Sequence, residues 1–235
     1  RRRRRMEMLK PRRLLALDFT DLVKLLPTAT AADTSHADDV FGISVALDRD
    51  TAVVGASEDD GANEAAGAAH EFTRVGSTWS VQQKLTVADA ASRDNFGISA
   101  AISGDTIIVG ASLDGTGSMI QHGSAYVFTR SGGTWTLQQR LTASDKAEAD
   151  EFGTAVALSG DTAVVGSWKD YSAGSAYVFT RSGSTWSQQQ KLTASDAAAS
   201  DRFGCALGIS GDSVVVGAYL KDVSGKSDAG AAYDA

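Results

Sequence analysis

The cassette that decides the fold reads Phe96-Gly97-Ile98-Ser99-Ala100-Ala101 and is completed, after a short turn, by Ile107-Ile108-Val109-Gly110. Its Phe-Gly pair occurs four times, at intervals of 55, 56 and 51 residues, and a glycine that closes an apolar run follows each phenylalanine by 14 residues. Self-similarity at a period of about 50 residues indicates a repeat architecture, in which each copy forms one supersecondary unit. The four copies begin at Phe41, Phe96, Phe152 and Phe203.

Four short strands are predicted in each copy. The second half of a complete copy contains a Phe-Thr-Arg segment, a tryptophan seven residues after that phenylalanine and a leucine six residues later. Val, Ile, Tyr, Phe and Thr dominate these segments, as is typical of β-strands, and Gly-Asp and Ser-Gly pairs supply the turns. In the last strand of the second copy, strict alternation places four side chains on one face: Trp135, Leu137, Gln139 and Leu141.

Four antiparallel strands in about 50 residues are the content of a β-propeller blade, so the sequence predicts an all-β fold. A flat β-solenoid is the competing architecture, although its repeats are usually shorter. We expect a partial propeller of about 3.5 four-stranded antiparallel blades, preceded by a basic tail, residues 1–33, that contains a short amphipathic helix or is disordered. The repeats span residues 34–235, divided at approximately 34–88, 89–144, 145–195 and 196–235, the last of them incomplete.

These cassettes resemble the FG-GAP repeat, the blade unit of the integrin α-subunit β-propeller and of many microbial and algal repeat proteins. Phe-Gly, an apolar strand and Val-Gly-Ala carry the resemblance, best at Phe96-Gly97 and Val109-Gly110-Ala111, and the segment at 123–130 is similar to the microbial branch. The third copy departs from the pattern with Gly166-Ser167. The resemblance covers about residues 34–235 and implies a propeller of about seven blades that serves adhesion or ligand binding.

Composition and charge exclude several classes of protein. Cys205 is the only cysteine, which excludes an intramolecular disulfide framework and multi-cysteine metal sites. No stretch of 18 or more uncharged apolar residues occurs in the sequence, so no transmembrane segment is predicted. Residues 25–235 carry 13 basic and 26 acidic side chains, and because an acidic body repels phosphate backbones, nucleic acid is not expected as a partner.

The ends of the sequence indicate a fragment. It opens with Arg1 rather than methionine, and the fourth copy stops at Tyr233-Asp234-Ala235, inside a predicted strand. Because a propeller ring needs about four to eight blades, we expect the natural protein to continue and to supply the remaining blades; self-association that completes a ring is the alternative.

Three charges interrupt the apolar run at 14–26, so it is not a clean signal peptide. The adhesion role alone leads us to expect an extracellular or cell-surface location.

Length variation marks the adaptable surface. From the Val-Gly glycine to the next phenylalanine the spacing is 17, 18 and 13 residues in the complete copies, whereas the other repeat spacings are constant. Insertions are tolerated where the backbone is solvated, and such loops of repeat proteins share one face that is often the binding face. We expect exposed acids and aromatics there to form a rim that binds protein or carbohydrate ligands: Asp59, Asp60, Asp114, Trp168, Asp170, Tyr171, Tyr219 and Asp222.

A metal site is not carried over from the resemblance. Integrin-type FG-GAP blades often have an Asp-rich calcium loop between Phe-Gly and Gly-Ala, but here that interval holds only two strands and a tight turn. No cofactor is therefore predicted. Calcium has one weak candidate site, in the loop after the first Val-Gly, where four carboxylates occur together: Glu58, Asp59, Asp60 and Glu64.

No catalytic or phosphate-binding motif occurs in the sequence. The histidines His36, His70 and His122 do not recur in register, and the acids that recur two residues before and nine after each Phe-Gly phenylalanine are assigned to turns. The predicted function is a non-catalytic binding or adhesion module. Two alternatives stay open: a propeller scaffold of an enzyme whose catalytic residues lie outside this chain, and a purely structural repeat protein.

Overall fold

The computed structural model describes residues 23–27, 38–60, 65–115 and 121–235. In these ranges the chain forms 15 β-strands in four antiparallel sheets, which confirms the predicted all-β class. Each of three sheets has four strands in chain order and the last has three; we number the sheets blade 1 to blade 4. Of the predicted tail, only residues 23–27 are described, and they have no regular secondary structure. The helix predicted in the tail otherwise lies outside the described residues.

The strands of the four blades have nearly constant lengths, in keeping with the sequence repeat. Blade 1 contains β1 Phe41–Asp48, β2 Thr51–Ala56, β3 Ala68–Val75 and β4 Thr78–Leu85. Blade 2 contains β5 Phe96–Ser103, β6 Thr106–Ala111, β7 Ser124–Ser131 and β8 Thr134–Leu141. Blade 3 contains β9 Phe152–Ser159, β10 Thr162–Ser167, a 3₁₀ turn Asp170–Ser172, β11 Ser175–Ser182 and β12 Thr185–Leu192. Blade 4 contains β13 Phe203–Ser210, β14 Ser213–Ala218 and β15 Ala231–Asp234.

The blades are arranged radially, with the first strand of each at the inside. Successive first strands pack on one another, β1 on β5, β5 on β9 and β9 on β13, whereas the outer strands β4, β8 and β12 barely touch. Sheets that are close at one edge and apart at the other have the wedge arrangement of a β-propeller. The predicted blade architecture is therefore confirmed.

Three hydrophobic cores lie between two blades, and a smaller cluster lies on the outward face of blade 1. The core between blades 1 and 2 joins Val53 and Leu85 of blade 1 to Phe96, Tyr126 and Trp135 of blade 2. Equivalent cores follow between blades 2 and 3 and between blades 3 and 4. The second strand of blade 2 is apolar on both sides and buried along its whole length, between the cores on its two faces.

A β-bulge in the outer strand corrects the alternation predicted for it. The register of β8 shifts between the partners of Val127 and Phe128, so one residue of β8 is extra and the side chains beyond it change face. Trp135 packs in the core towards blade 1, while Leu141 packs in the core towards blade 3. Trp135 and Leu137 share a face as predicted, whereas the prediction is wrong for Gln139 and Leu141, which lie on the opposite face. Leu137 is 46% exposed. Blades 1 and 3 have the same shift.

The Phe-Gly pair forms a joint between blades. Phe152 is fully buried, a burial worth about 1.5–3 kcal/mol, and its backbone N–H donates to the His122 carbonyl of the preceding blade at 3.0 Å. A Cβ on Gly110 would lie 1.9 Å from the Gly153 carbonyl oxygen. The glycine at the end of the second strand is thus required because the backbone of the next blade takes the place of a side chain.

The four blades form an open arc. In the described part of the chain, no strand of blade 1 packs on a strand of blade 4 in the way that successive blades pack. The outward face of blade 1 leaves Val45 and Leu47 exposed to 72% and 65%, and the outward face of blade 4 leaves Val215 exposed to 47%. Both ends of the arc therefore present apolar surface that the inner blades bury.

Candidate functional site

Each connector between the second and third strands of a blade has two fixed points. It starts at the residue four positions after the Val-Gly glycine, whose carbonyl accepts a hydrogen bond from the N–H of the glycine that precedes the third strand. This bond measures 2.9 Å for Asp59 and Gly67, 2.9 Å for Asp114 and Gly123, 2.8 Å for Asp170 and Gly174, and 2.9 Å for Lys221 and Gly230. The two points are 8, 9, 4 and 9 positions apart, so the length variation falls between them. We call these segments the variable connectors.

A buried cluster of polar side chains supports the connector of blade 2. Asp114, 3% exposed, accepts a hydrogen bond from the Tyr126 hydroxyl at 2.7 Å and forms an ion pair with the Arg140 guanidinium at 2.7 Å. Arg140 also lies 3.2 Å from Asp89, in the linker that arrives from blade 1. The β-bulge of β8 puts Arg140 on the same face as Tyr126, with which it pairs across the strands. The cluster therefore ties a connector, an outer strand and an interblade linker together.

Blade 3 repeats the cluster with lysine in place of arginine. The Tyr177 hydroxyl donates to Asp170 at 2.8 Å and to Asp145 at 2.9 Å, while Lys191 Nζ lies 2.5 Å and 2.6 Å from the same two carboxylates. Burial, followed by the Asp170 carboxylate, raises the pKa of Tyr177. Burial acts to lower the pKa of Lys191, but the bonds to Asp145 and Asp170 outweigh it and raise this pKa. The tyrosine consequently stays a hydrogen-bond donor and the lysine stays charged at neutral pH.

In blades 2 to 4, the acid two residues before Phe-Gly caps a turn, as predicted. The N–H of Ala91 donates to the Asp94 carboxylate at 2.6 Å, and the equivalent bonds to Asp150 and Asp201 measure 2.6 Å and 2.7 Å. Burial raises the pKa of Asp94 to about 6, although the Ala91 N–H acts in the opposite direction. These carboxylates fix the linkers at the same end of the blades as the variable connectors.

Blades 1 and 4 vary the cluster. In blade 1, His70 takes the place of the tyrosine, and Lys84 Nζ lies 2.9 Å from Asp59. In blade 4, Lys221 stands where the other blades have the connector aspartate, and its Nζ lies 2.9 Å from Asp201. The cation of blade 4 thus comes from its connector, whereas blades 1 to 3 take it from the outer strand.

Three of the acids predicted for an exposed rim are buried, so that expectation is wrong for them. Each faces the cation of its own blade at 2.5–2.9 Å, and the exposed fractions are 4%, 3% and 1% for Asp59, Asp114 and Asp170. A buried carboxylate needs a close cation and hydrogen-bond donors to offset its lost hydration. The basic residue that supplies this charge lies 20 or more positions away in sequence, so the loop sequence alone gave no sign of it.

The remaining predicted acids are exposed. Asp60 accepts a hydrogen bond from the N–H of Ala65 at 2.9 Å, and Asp222 accepts one from the N–H of Asp228 at 2.9 Å, so both brace their connectors. Of the calcium candidates, Glu58 is exposed and Glu64 lies outside the described residues. Within the described ranges, no group of three or more His, Cys, Asp or Glu side chains converges as a metal site would require.

Two of the predicted aromatic residues meet at the boundary between blades 3 and 4. Trp168 and Tyr219 stack with ring centroids 6.4 Å apart and planes inclined by 26°. The Arg202 guanidinium carbon lies 4.4 Å from the Trp168 ring centroid. Glu151 accepts hydrogen bonds from the Trp168 indole N–H and from the Lys169 ammonium group. We call Trp168, Lys169, Arg202 and Tyr219 the aromatic shelf.

The two rings of the aromatic shelf stand at repeat positions where blades 1 and 2 have different residues. Trp168 and Tyr219 each follow a Val-Gly glycine by two positions, where blades 1 and 2 have the buried serines Ser57 and Ser112. Tyr219 is 50% exposed and Trp168 half-buried. Tyr171, the third predicted aromatic, is 77% exposed and contacts Lys191, whose Nζ lies 4.4 Å from its ring centroid. The sequence therefore identified the rings but not their stacking across a blade boundary.

A cavity of about 370 Å³ adjoins the shelf. Its lining includes the cations Lys169 and Arg202 and the hydroxyls of Ser172 and Ser200, together with the carboxylate of Glu148. The Arg202 Nε atom is buried and has no hydrogen-bond partner among the described residues. The cavity thus brings two cationic side chains, Lys169 and Arg202, beside the acidic side chain of Glu148.

A set of arginine contacts that the sequence did not predict recurs at the end of the blades opposite the variable connectors. Arg130 Nε donates to Asp105 at 2.9 Å, its Nη1 donates to Thr51 of the preceding blade at 3.0 Å, and its guanidinium carbon lies 4.9 Å from the Trp135 ring centroid. Arg181 makes the equivalent contacts in blade 3. The constant register of Thr-Arg, Gly-Asp and Trp was the available indication of this arrangement.

The histidines and the cysteine have structural surroundings. His122 is fully buried beside the joint, and its Nδ1 lies 2.8 Å from the Gly123 carbonyl oxygen. His70 is buried with its Nε2 3.8 Å from Asp59. The Cys205 thiol is half-buried and donates to the Gly217 carbonyl at 3.3 Å. His36 lies outside the described residues.

Comparison with protein families gives four matches to the FG-GAP repeat, at residues 27–72, 79–128, 135–179 and 186–233. The last three run from the outer strand of one blade to the third strand of the next, so each of them spans one interblade joint. No curated protein matches the chain. Among the described residues, no helix has the length and apolar character needed to cross a membrane.

Proposed function

The chain belongs to the FG-GAP repeat family, and on that premise we propose that it is a non-catalytic binding or adhesion module. Its blades hold the variable connectors in place, and the connectors form a rim that contacts a ligand. Protein and carbohydrate ligands both suit such a rim, because aromatic side chains provide large contact areas with polar edges. The chemistry of the aromatic shelf favours carbohydrate.

One observation carries the proposal, the separation between fixed and variable segments. Connectors of different length start and end on the same backbone hydrogen bond, above a buried and charge-compensated cluster. The connectors of blades 3 and 4, which are described throughout, are held in this way and lose little conformational freedom on binding, so more of the contact energy is available as affinity. Their sequences can also change without altering the blade beneath them.

The aromatic shelf is the part of the rim with the most specific chemistry. Tyr219, which is 50% exposed and stacked on Trp168, offers its ring to the C–H face of a sugar. Arg202 adds positive charge beside the Trp168 ring, which suits a carboxylate or sulfate group, whereas the charge of Lys169 is paired with Glu151. We therefore favour a glycan that contains uronic acid or sulfated sugars, with an acidic protein segment as the alternative outcome of the test.

An array of acidic and neutral glycans, probed with the 235-residue chain, tests this assignment. We expect retention of acidic glycans and a loss of affinity of about tenfold or more for Tyr219→Ala, which removes an exposed ring at the centre of the contact. Leu137→Ala removes an exposed side chain of similar apolar area on the outer strand β8 and keeps full binding. Equal losses for the two variants, or binding that neutral glycans share, would contradict a role of the shelf.

The other parts of the proposal have separate tests. Stacking and ion pairing need no metal, so binding should persist in the presence of a chelator of divalent cations.

A module that acts by binding should leave its glycan ligands chemically unchanged, which mass spectrometry of the recovered ligand checks. Display outside the cell predicts that antibody against the blades labels intact cells. Cleaved ligand would instead favour the enzyme-scaffold alternative.

A further inference from the structure

Blades 1 and 2 each depart from the repeat pattern at one position, and the two departures meet at one cleft. Glu71 of β3 stands where blades 2 and 3 have valine. Gly133, in the turn between β7 and β8, stands where blades 1 and 3 have serine. Both residues line a cleft of about 450 Å³ between blades 1 and 2. The cleft thus differs in two of its walls from the equivalent place between blades 2 and 3.

Glu71 is a buried acid without a cation. Its counterpart Val127 packs in the core between blades 2 and 3, so Glu71 is directed from blade 1 towards blade 2. Glu71 is 2% exposed, and within the described ranges its side chain has one hydrogen bond, from the Thr73 hydroxyl at 2.9 Å, and no ion pair. Burial without a compensating charge is unfavourable for a carboxylate, so the stability of the blade does not account for this residue.

The cation of the cleft is engaged elsewhere. Of the described residues that line it, Arg130 alone is cationic. Its Nε donates to Asp105 at 2.9 Å and its Nη2 lies 2.8 Å from the same carboxylate, while its Nη1 donates to Thr51 at 3.0 Å. All three nitrogens of the guanidinium therefore have partners, and Asp105 balances its charge. The charge of Glu71 is the one that the cleft leaves unmatched.

The other polar side chains beside Glu71 can accept hydrogen bonds. The Thr73 hydroxyl gives its proton to Glu71, so its oxygen still has acceptor capacity. Gln82 directs its Nε2 to Ser80, 2.7 Å from the hydroxyl oxygen, which leaves its amide oxygen as an acceptor. An ammonium group carries a positive charge and three N–H donors but no acceptor, so it complements this set of groups.

The shape of the cleft suits a slender ligand. Glu71, Thr73 and Val75 alternate onto one face of β3 and change from buried to half-buried to 76% exposed. The opposite wall is the turn at Gly132 and Gly133, where a Cβ on either residue would meet no described atom within 4 Å. An alkyl chain can therefore lie along Val75 while the group at its end reaches Glu71.

We propose that the cleft between blades 1 and 2 binds the ammonium group of an alkylamine, with Glu71 as its counter-charge. The oxygens of Thr73 and Gln82 accept the other N–H bonds, and Val75 contacts the alkyl chain. A lysine side chain of a partner protein and a free amine share this chemistry. The cleft reaches the turn between β7 and β8, at the end of the blades opposite the variable connectors, so this site is separate from the proposed rim.

A titration of the ¹⁵N-labelled 235-residue chain with butylammonium chloride, followed by NMR, tests the proposal. We expect the amide signals of Glu71, Thr73, Gly132 and Gly133 to shift and to saturate. Butanol, a neutral molecule of the same chain length, and sodium chloride at equal concentration should leave these signals in place. Equal shifts with butanol would indicate an apolar contact alone, and equal shifts with sodium chloride a general ionic effect; either result overturns the proposal.

Glu71→Val puts the residue of blades 2 and 3 into blade 1 and is the principal variant. Its affinity for butylammonium should fall about tenfold or more, because a charge-assisted contact is lost. The urea midpoint of the free chain should rise, because a buried charge is removed. Glu71→Gln keeps the size of the side chain without its charge and should lose affinity to a similar extent.

Asp212→Asn is the matched control. It also removes one negative charge, from the exposed turn between the first two strands of blade 4, and should bind butylammonium like the unaltered chain. A loss as large as that of Glu71→Val would reduce the effect to net charge, and full binding by Glu71→Val would remove the carboxylate from the site. Each of these results contradicts the proposal, as does a lower urea midpoint for Glu71→Val.

A short peptide distinguishes the two sources of the ammonium group. Acetyl-Gly-Lys-Gly-amide should shift the same amide signals, whereas the same peptide acetylated on the lysine Nζ should not, because acetylation removes the charge. Tighter binding of the peptide than of butylammonium assigns the site to a lysine of a partner protein, and tighter binding of butylammonium assigns it to a free amine. Equal binding of the acetylated and unacetylated peptides would overturn the proposal.

Discussion

Gly110 and Gly217 hold the same place in their blades but have different neighbours. Gly110 faces the backbone of the next blade, whose carbonyl oxygen would lie 1.9 Å from an added Cβ, whereas Gly217 faces no other blade of the chain within the described residues. The same motif position therefore meets the backbone of the next blade in one case and side chains of its own blade in the other. The residues that recur from copy to copy are mainly those that contact a neighbouring blade. Fewer of them pack within their own sheet.

The largest effect that separates these two regions is expected for Gly110→Ala. The added methyl group would force the backbones of blades 2 and 3 apart and open the core between them, so the free energy of unfolding should fall by about 3 kcal/mol. Urea denaturation measures this loss. Gly208→Ala, which adds a methyl group where no described atom lies within 4 Å, should change stability by less than about 1 kcal/mol. Similar losses for both variants would show that the joint is not as tight as described.

A second effect comes from the buried clusters. Tyr177→Phe removes a hydroxyl that donates to the carboxylates of Asp170 and Asp145, so we expect a loss of about 2 kcal/mol in the free energy of unfolding. Tyr233→Phe removes the equivalent bond in blade 4, where the Asp196 carboxylate is exposed, and should have a smaller effect. Equal effects of the two substitutions would argue against the difference between inner and terminal blades.

The pH dependence of stability sharpens the comparison at Asp94. Burial raises the pKa of this carboxyl to about 6 in the folded chain, above the value of about 3.9 in an unfolded chain. The folded state thus binds the proton more tightly between these values, and stability should rise as pH falls from 7 through 6 to 4. Asp94→Asn keeps an acceptor for the Ala91 N–H but cannot titrate. Urea unfolding at several pH values should show the unaltered chain gaining stability relative to Asp94→Asn on acidification; parallel profiles would contradict the burial of this charge.

The smallest effect is expected at the end of the blades opposite the connectors. Asp105 is 70% exposed at its side chain, and Arg130 retains Thr51 and Trp135 as partners when this carboxylate is removed. Asp105→Asn should therefore lower the free energy of unfolding by less than about 1 kcal/mol, and high salt should remove most of the difference. A loss that salt does not reduce would mean that the ion pair is structurally more important than its exposure indicates.

The blades could be predicted from the sequence because the interblade joint has a strict register. Phe152 and Gly153 must meet Gly110 and Gly123 of the preceding blade, and each of these contacts fixes a spacing that recurs in the copies. The faces of the outer strand could not be predicted in the same way. A single extra residue in β8, between Trp135 and Leu141, moves the side chains that follow it to the opposite face of the sheet. Amino-acid composition does not indicate where such a bulge lies.

The candidate site was predicted only in part, for a related reason. The variable length of the connectors identified where they lie, and Trp168 and Tyr219 were recognised as aromatic residues of those loops. The burial of Asp114 was not foreseen, because its partner Arg140 is brought to it by the bulge and by strand pairing rather than by proximity in sequence. Loop composition therefore indicates a surface, while long-range charge pairing decides which of its acids reach solvent.

The exchange of one connector tests most directly whether joints and clusters define the blades while the connectors are free to vary. Replacing residues 222–229 of blade 4 by Tyr-Ser-Ala, the sequence of 171–173, puts the shortest connector between the fixed points Lys221 and Gly230. We predict that the free energy of unfolding stays within about 1 kcal/mol of the unaltered value and that the amides of β14 and β15 keep their protection from hydrogen exchange. A drop of several kcal/mol, or loss of protection in those two strands, would contradict the separation of fixed blades from variable connectors.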